Sequence, residues 1–106
     1  MGGSQTLVAT NNNPGVFAYI GVFSSRPRVD DEAFEAQLEA VKTRVVKLYW
    51  TGAGTTDMAR ERTVNLHSLL EKHGFKISYN YQEIPGNHCW FLWRDFLGDY
   101  ASLLFR

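Results

Sequence analysis

Cysteine is nearly absent from this chain, with Cys89 alone. An intrachain disulfide is therefore impossible, and there is no cysteine spacing from which a zinc site could be built. Neither sign of charge is in excess, since Lys+Arg and Asp+Glu number 11 each. No basic field favours nucleic acid, and no acidic block suggests a solvating tail. No apolar run is long enough to span a bilayer. The first residues lack the basic region and apolar core of a secretory signal. Internal repeats and low-complexity segments are also missing. What remains is a chain of 106 residues, 44% apolar and 14% aromatic. That composition describes one small domain with a modest core rather than a disordered segment.

The apolar pattern alternates between helical and extended periods. Residues 4–10 carry modest helical potential and run into Asn11-Asn12-Asn13-Pro14-Gly15, a stop and a turn. Phe17 to Phe23 is almost wholly apolar, which predicts a strand buried on both faces. Asp30, Asp31 and Glu32 suit a helix start, because free N–H groups and the dipole favour negative charge there. Phe34, Leu38 and Val41 then form one apolar stripe, with Glu35, Gln37, Glu39 and Lys42 as a solvated face. Val45 to Trp50 predicts a second strand, ending in a loop over 51–57. A helix follows from about Met58 to His73, with Ala59, Thr63, Leu66 and Leu70 inward and Gly74 just past its end. Phe75 to Gln82 alternates strictly, as a half-wet strand at or near a sheet edge does. A last helix is expected from about Cys89 to Phe105. Leu92, Trp93, Phe96, Leu97, Tyr100, Leu103 and Leu104 are its buried face.

Alternating helices and strands imply a parallel sheet with right-handed crossovers. The expected fold class is therefore α/β, with three parallel strands alternating with four helices. Three strand ends then share one edge, where Ser24 and Ser25, Asp57, and His88 collect. Active-site groups gather at that edge in α/β proteins.

The loop Ile84-Pro85-Gly86-Asn87-His88-Cys89-Trp90 carries the leading candidate, His88. A carboxylate from the neighbouring strand end, Asp57, can accept its N–H and stabilise an imidazolium during general-base work. Asp57 can equally cap the following helix, and both roles are compatible. Gly52-x-Gly54 before a helix is a weak phosphate-cradle signal, because Asp57 stands where a third glycine belongs. Cys89 reads as a buried thiol. His67 and His73 are six residues apart, not the four of a helical metal pair, and read as boundary residues. Neither a metal nor a cofactor is expected. Trp90 and Trp93 read as core residues first, and of the two Trp90, beside the histidine, is the candidate pocket wall.

Several segments carry a family resemblance together. They are Gly52-Ala53-Gly54-Thr55-Thr56-Asp57, Pro85-Gly86-Asn87-His88-Cys89-Trp90, Phe17 to Ser24, and Trp93 to Phe105. In this order they resemble the C-terminal half of α/β-hydrolase esterases of carbohydrate esterase family 1. That group includes feruloyl esterases, acetyl xylan esterases and enterochelin-esterase-like proteins. The likeness covers essentially all of residues 1–106, read as a single partial domain. The opening Met1-Gly2-Gly3-Ser4-Gln5-Thr6-Leu7 resembles the sequence that follows the nucleophilic serine in that family's Gly-x-Ser-Met-Gly-Gly elbow.

The resemblance implies a serine esterase acting on carboxylic esters, such as ester-substituted plant polysaccharides or small aryl and acetyl esters. It makes Asp57 the triad acid and His88 the base. Met1 takes the position whose backbone N–H helps form the oxyanion hole, although as a first residue it would carry an ammonium. Trp90 and Ser24 are candidate substrate-binding residues. Ser4 lies on the helix after the elbow, and Ser24 and Ser25 lie outside it. The chain is thus expected to retain acid and base without the nucleophile, and to be inactive alone. The family is often exported. The strand at 17–23 would keep one open edge, which predicts a homo-oligomer through that edge or by swapping. A non-catalytic carbohydrate- or ester-binding module, or an assembly module, built on the same half-fold is the alternative.

Overall fold

The computed structural model describes residues 1–27, 31–43, 46–75 and 82–106. In chain order the elements are α1 (Gly2–Asn12), β1 (Tyr19–Phe23), α2 (Glu32–Lys42), β2 (Leu48–Gly54), α3 (Arg60–Lys72), β3 (Gln82–Ile84) and α4 (Trp90–Ser102). The architecture is α/β. Four helices pack around a parallel sheet whose main ladder joins β1 to β2, from Tyr19↔Leu48 to Phe23↔Gly52. The short β3 runs parallel to the far end of β2, from Gly52↔Gln82 to Gly54↔Ile84. The alternating strand expected at 75–82 lies, apart from its end residues, outside the described residues, as do Asp30 and Val45.

The ends of α2 and α3 have local causes. Asp31 caps α2 by accepting the Ala33 N–H at 2.9 Å, with Glu32 and Glu35 in the first turn and Lys42 in the last. Leu38 and Val41 are buried from its apolar stripe, and Phe34 packs beside them. Glu35 and Glu39, expected to be merely solvated, are engaged by His73 of the following connection. Past α3, Gly74 takes a left-handed φ of +71°, and the Phe75 N–H turns back to the Leu70 carbonyl at 3.2 Å.

Two clusters fill the two sides of the sheet. On one side Ile20, Val22 and Tyr49 meet Leu7 of α1, Leu38 and Val41 of α2, and Leu66, Leu69 and Leu70 of α3. On the other, Leu48 and Trp50 meet Leu92 and Phe96 of α4, with Tyr19, Phe23, Trp93 and Tyr100 around them. The strands alternate between the two. In β1, Ile20 and Val22 are buried, while Tyr19, Gly21 and Phe23 are only half-covered.

Three sequence expectations need correction. The first strand starts at Tyr19 rather than Phe17, and only its helix-rich side is fully buried, because α4 alone covers the other. The second strand runs three to four residues later than expected and includes Thr51-Gly52-Ala53-Gly54, which had read as a loop. The glycines serve packing there. A Cβ on Gly52 would lie 2.6 Å from the Trp50 ring and 3.3 Å from Phe96. Finally, Leu97 of α4 is 56% exposed instead of buried, and Leu103 and Leu104 lie beyond the helix, half-buried. No helix among the described residues is long and apolar enough to cross a membrane.

Candidate functional site

Parallel strands put their C-terminal ends on one edge, and the residues just past them converge there. Asp57 follows β2 and His88 follows β3. His88 Nδ1–H donates to Asp57 Oδ1 at 3.0 Å. A carboxylate can only accept, so this contact assigns the proton to Nδ1 in the neutral ring and leaves Nε2 as the acceptor. The Asp57 side chain is fully buried and the His88 side chain is 28% exposed. The same Oδ1 accepts the Ala59 N–H at 2.8 Å ahead of α3, so the capping and pairing roles coexist. Oδ2 is buried and has no hydrogen-bond partner among the described residues.

The meeting of the two loops depends on small residues. A Cβ on Gly54 would sit 2.2 Å from the Gly86 carbonyl oxygen and 2.6 Å from Leu92. Only glycine lets the 84–88 loop lie against the end of β2. Thr56 then clamps that loop. Its N–H and its hydroxyl both donate to the Gly86 carbonyl, at 3.0 and 2.8 Å. Gly86 itself has φ of +150°, within the range that disfavours a side chain. The Gly52-x-Gly54 pair is therefore spent on strand packing and loop approach, and it forms no phosphate cradle.

A cleft of about 720 Å³ opens over His88. Met1 and Gly2 at the start of α1 border it, together with Ser24, Trp90 and Trp93. The first N–H groups of a helix have no carbonyl partner of their own, so this rim is polar and weakly positive. Gly3 allows the approach of α1, since a Cβ there would come 2.7 Å from the Phe23 carbonyl. A second hollow of about 400 Å³ lies on the other side of a shared wall of Phe23, Trp90 and Trp93, with Phe91, Arg94 and Leu97 behind.

The remaining candidates divide as follows. Ser24 is buried at the cleft, but its Oγ accepts the Trp93 indole N–H at 3.0 Å. Ser25 is buried against Gly3 and donates no side-chain hydrogen bond to any described residue. Trp90 is 80% exposed on the cleft rim. Cys89, expected buried, is half-buried at the start of α4. Sequence reasoning missed Thr56 and assigned Trp93 simply to the core. A threonine beside the candidate acid was a visible signal for the first. For Trp93, whose ring lies 4.7 Å from that of His88, helical spacing gave none. Among the described residues, no cluster of three or more His, Cys, Asp or Glu side chains could hold a metal ion. No protein-family model matches the chain, and no curated protein matches it.

Proposed function

We propose that the chain is the acid–base portion of a serine-type carboxylic ester hydrolase, built as the C-terminal half of an α/β-hydrolase fold with three parallel strands. The observation that carries this reading is the 3.0 Å contact between His88 Nδ1 and Asp57 Oδ1 at neighbouring strand ends, under an open cleft. In the reaction, His88 Nε2 takes the proton of a serine hydroxyl as that oxygen attacks the ester carbonyl. It then returns the proton to the leaving alcohol, and water repeats the sequence on the acyl-enzyme. Asp57 keeps the tautomer and offsets the imidazolium charge. The first turn of α1 supplies N–H groups on the oxyanion side. The substrates are ester-substituted plant polysaccharides or small aryl and acetyl esters. No cofactor takes part.

The serine is supplied from outside residues 1–106, at the elbow that the Met1 to Leu7 segment resembles. Ser24 does not replace it, because its Oγ is engaged by Trp93 and no hydrogen bond joins it to His88. The purified chain is expected to leave an activated aryl ester untouched. Turnover that disappears in His88→Ala would overturn the inactive-portion reading. Absence of an in-frame Gly-x-Ser in the coding sequence just upstream of Met1 would sink the esterase reading itself.

A second reading rests on the aromatic rim. Trp90, on the cleft rim, and Phe91, in the second hollow, are 80% and 73% exposed, a surface suited to stacking on sugar or aryl rings. A non-catalytic binding module predicts carbohydrate or ester binding that survives Asp57→Ala. Self-association belongs to either reading. Among the described residues β1 has no strand on its outer side, and an unpaired parallel-sheet edge recruits another strand. A monodisperse monomer by light scattering at high concentration would remove that element.

A further inference from the structure

We propose that Trp93, held by Ser24, is a positioning residue that fixes the ring plane and tautomer of His88. The inference rests on the reading of His88 as a base, and it adds a strut to the Asp57–His88 pair.

Asp57 alone holds His88 at one point. Its Oδ1 is shared between the imidazole and the Ala59 N–H, and its Oδ2 reaches nothing described. A single hydrogen bond lets a ring swivel about the bond joining it to its Cβ. The histidine also stands on a loop after Gly86, with part of its side chain open to the cleft. Something else must set where Nε2 points.

Trp93 meets that need. Its ring stands nearly perpendicular to the imidazole, at 87° with centroids 4.7 Å apart. An indole at this distance and angle limits how far the imidazole can turn about its Cβ–Cγ bond. Trp93 is itself braced on two sides. Trp90 packs edge-on at 5.6 Å, and the indole N–H ends on Ser24 Oγ at 3.0 Å.

Ser24 supplies the second, independent observation. Its φ is +50°, a left-handed conformation that residues with a side chain seldom adopt. Its N–H is fixed to the Gly52 carbonyl at 2.8 Å, which holds that conformation at the end of β1. Glycine would satisfy the same backbone without strain. It would remove the side-chain oxygen that accepts the indole N–H. The strain thus goes with a side chain whose oxygen anchors Trp93. The path runs from the end of β1 through Ser24 and Trp93 to His88, and so ties the third strand end to the other two.

The test reads the tautomer directly, by two-bond proton–nitrogen correlation on the full chain with labelled histidine, at a pH where the imidazoles are neutral. In the wild type, His88 is expected mostly as Nδ1–H. In Ser24→Gly and Trp93→Phe the ratio of Nδ1–H to Nε2–H is expected to fall several-fold at His88, with His67 and His73 unchanged as internal references. Ser24→Gly relieves the backbone while removing the acceptor, so it separates the strut from simple loss of stability. It also decides the matter should Trp93→Phe fail to fold. A folded Ser24→Gly chain with the wild-type ratio overturns the strut and leaves the Asp57–His88 pair standing. A wild type already dominated by Nε2–H overturns the pair, and the base reading with it.

Discussion

The two sides of the sheet are built on different terms. The side under α1, α2 and α3 is aliphatic and closed, with Val22, Leu38, Leu66 and Leu70 fully buried. The side under α4 is aromatic and only half closed. Phe96 and Trp50 are buried at 5.1 Å from each other, while Phe91, Trp90 and Leu97 remain in solvent. Three helices shed apolar surface on one side, and one helix has to do so on the other. The candidate site belongs to the half-closed side. His88, Trp93 and the cleft all lie along α4 and the strand ends beneath it. The candidate site therefore lies where the sheet is less completely covered.

The largest expected effect breaks the aromatic side. Phe96→Ala removes a ring that packs on both Phe23 and Trp50. It should cost about 3–5 kcal/mol, against about 2–5 for Leu70→Ala in the aliphatic cluster. Domains of this kind hold only about 5–15 kcal/mol in total. Urea unfolding measures both losses. In addition, Phe96→Ala should raise binding of a hydrophobic dye under native conditions while Leu70→Ala should not, because only the former loosens α4. Equal dye binding would erase the distinction between the two sides.

Next in size is Gly54→Ala, placed at the seam between the sides. The added Cβ meets the Gly86 carbonyl and Leu92, so the 84–88 loop must shift. The expected cost is about 1–3 kcal/mol by overpacking. The signals of the His88 ring should move in the variant, and unmoved His88 resonances would count against the seam.

A smaller effect belongs to the aliphatic side alone. His73 bridges Glu39 and Glu35 of α2, and Lys72 also binds Glu35 at 2.9 Å. Hydrogen bonds that His73 donates to Glu39 first, then to Glu35, raise the His73 pKa above 6.5. Lys72 first, then His73, lower that of Glu35 below 4.5. The raised histidine stabilises fully below 6.5 and loses that contribution as pH climbs through its folded value. The lowered glutamate stabilises fully above 4.5 and loses it as pH falls through its folded value. The clasp is thus complete between those limits. Melting temperature should decline above pH 6.5 in the wild type, and His73→Gln should flatten that decline. The groups lie near solvent, so salt should weaken the effect.

The smallest effect on stability is expected from the exposed rim. Trp90→Ser with Phe91→Ser should change unfolding free energy by no more than about 0.5 kcal/mol. Self-association by light scattering should stay as in the wild type, because it is assigned to the open edge of β1, and a fall would move the sticky surface to the rim.

Much of the closed side was legible beforehand. Leu38 and Val41, or Leu66 and Leu70, repeat at helical spacing, and an aliphatic stripe of that kind has only one place to go. The open side was less legible. Leu97 shares the spacing of Phe96 and Tyr100 but ends in solvent, because a periodic pattern marks a face without saying whether anything covers it. Thr51 to Gly54 read as a loop because glycine is poor in strands, yet here it is what β2 needs to admit Phe96 and the 84–88 loop. The placement of Asp57 and His88 at strand ends followed from the alternation of elements. Their contact, and the role of Thr56 in holding it, did not.

The sequence by itself determined the alternation of helices and strands, the aliphatic stripes, the caps at Asp31 and Gly74, and the pair of loops that bear Asp57 and His88. These are local, set by periodicity and by the preferences of a few residues over a few positions. Only the tertiary structure decided that Gly54 yields its side-chain space to Gly86, that Trp93 stands against His88 with its N–H on a strained Ser24, and that one side of the sheet stays partly open. Each of those joins residues far apart in the chain, where distance depends on how the elements pack and not on what any one segment prefers.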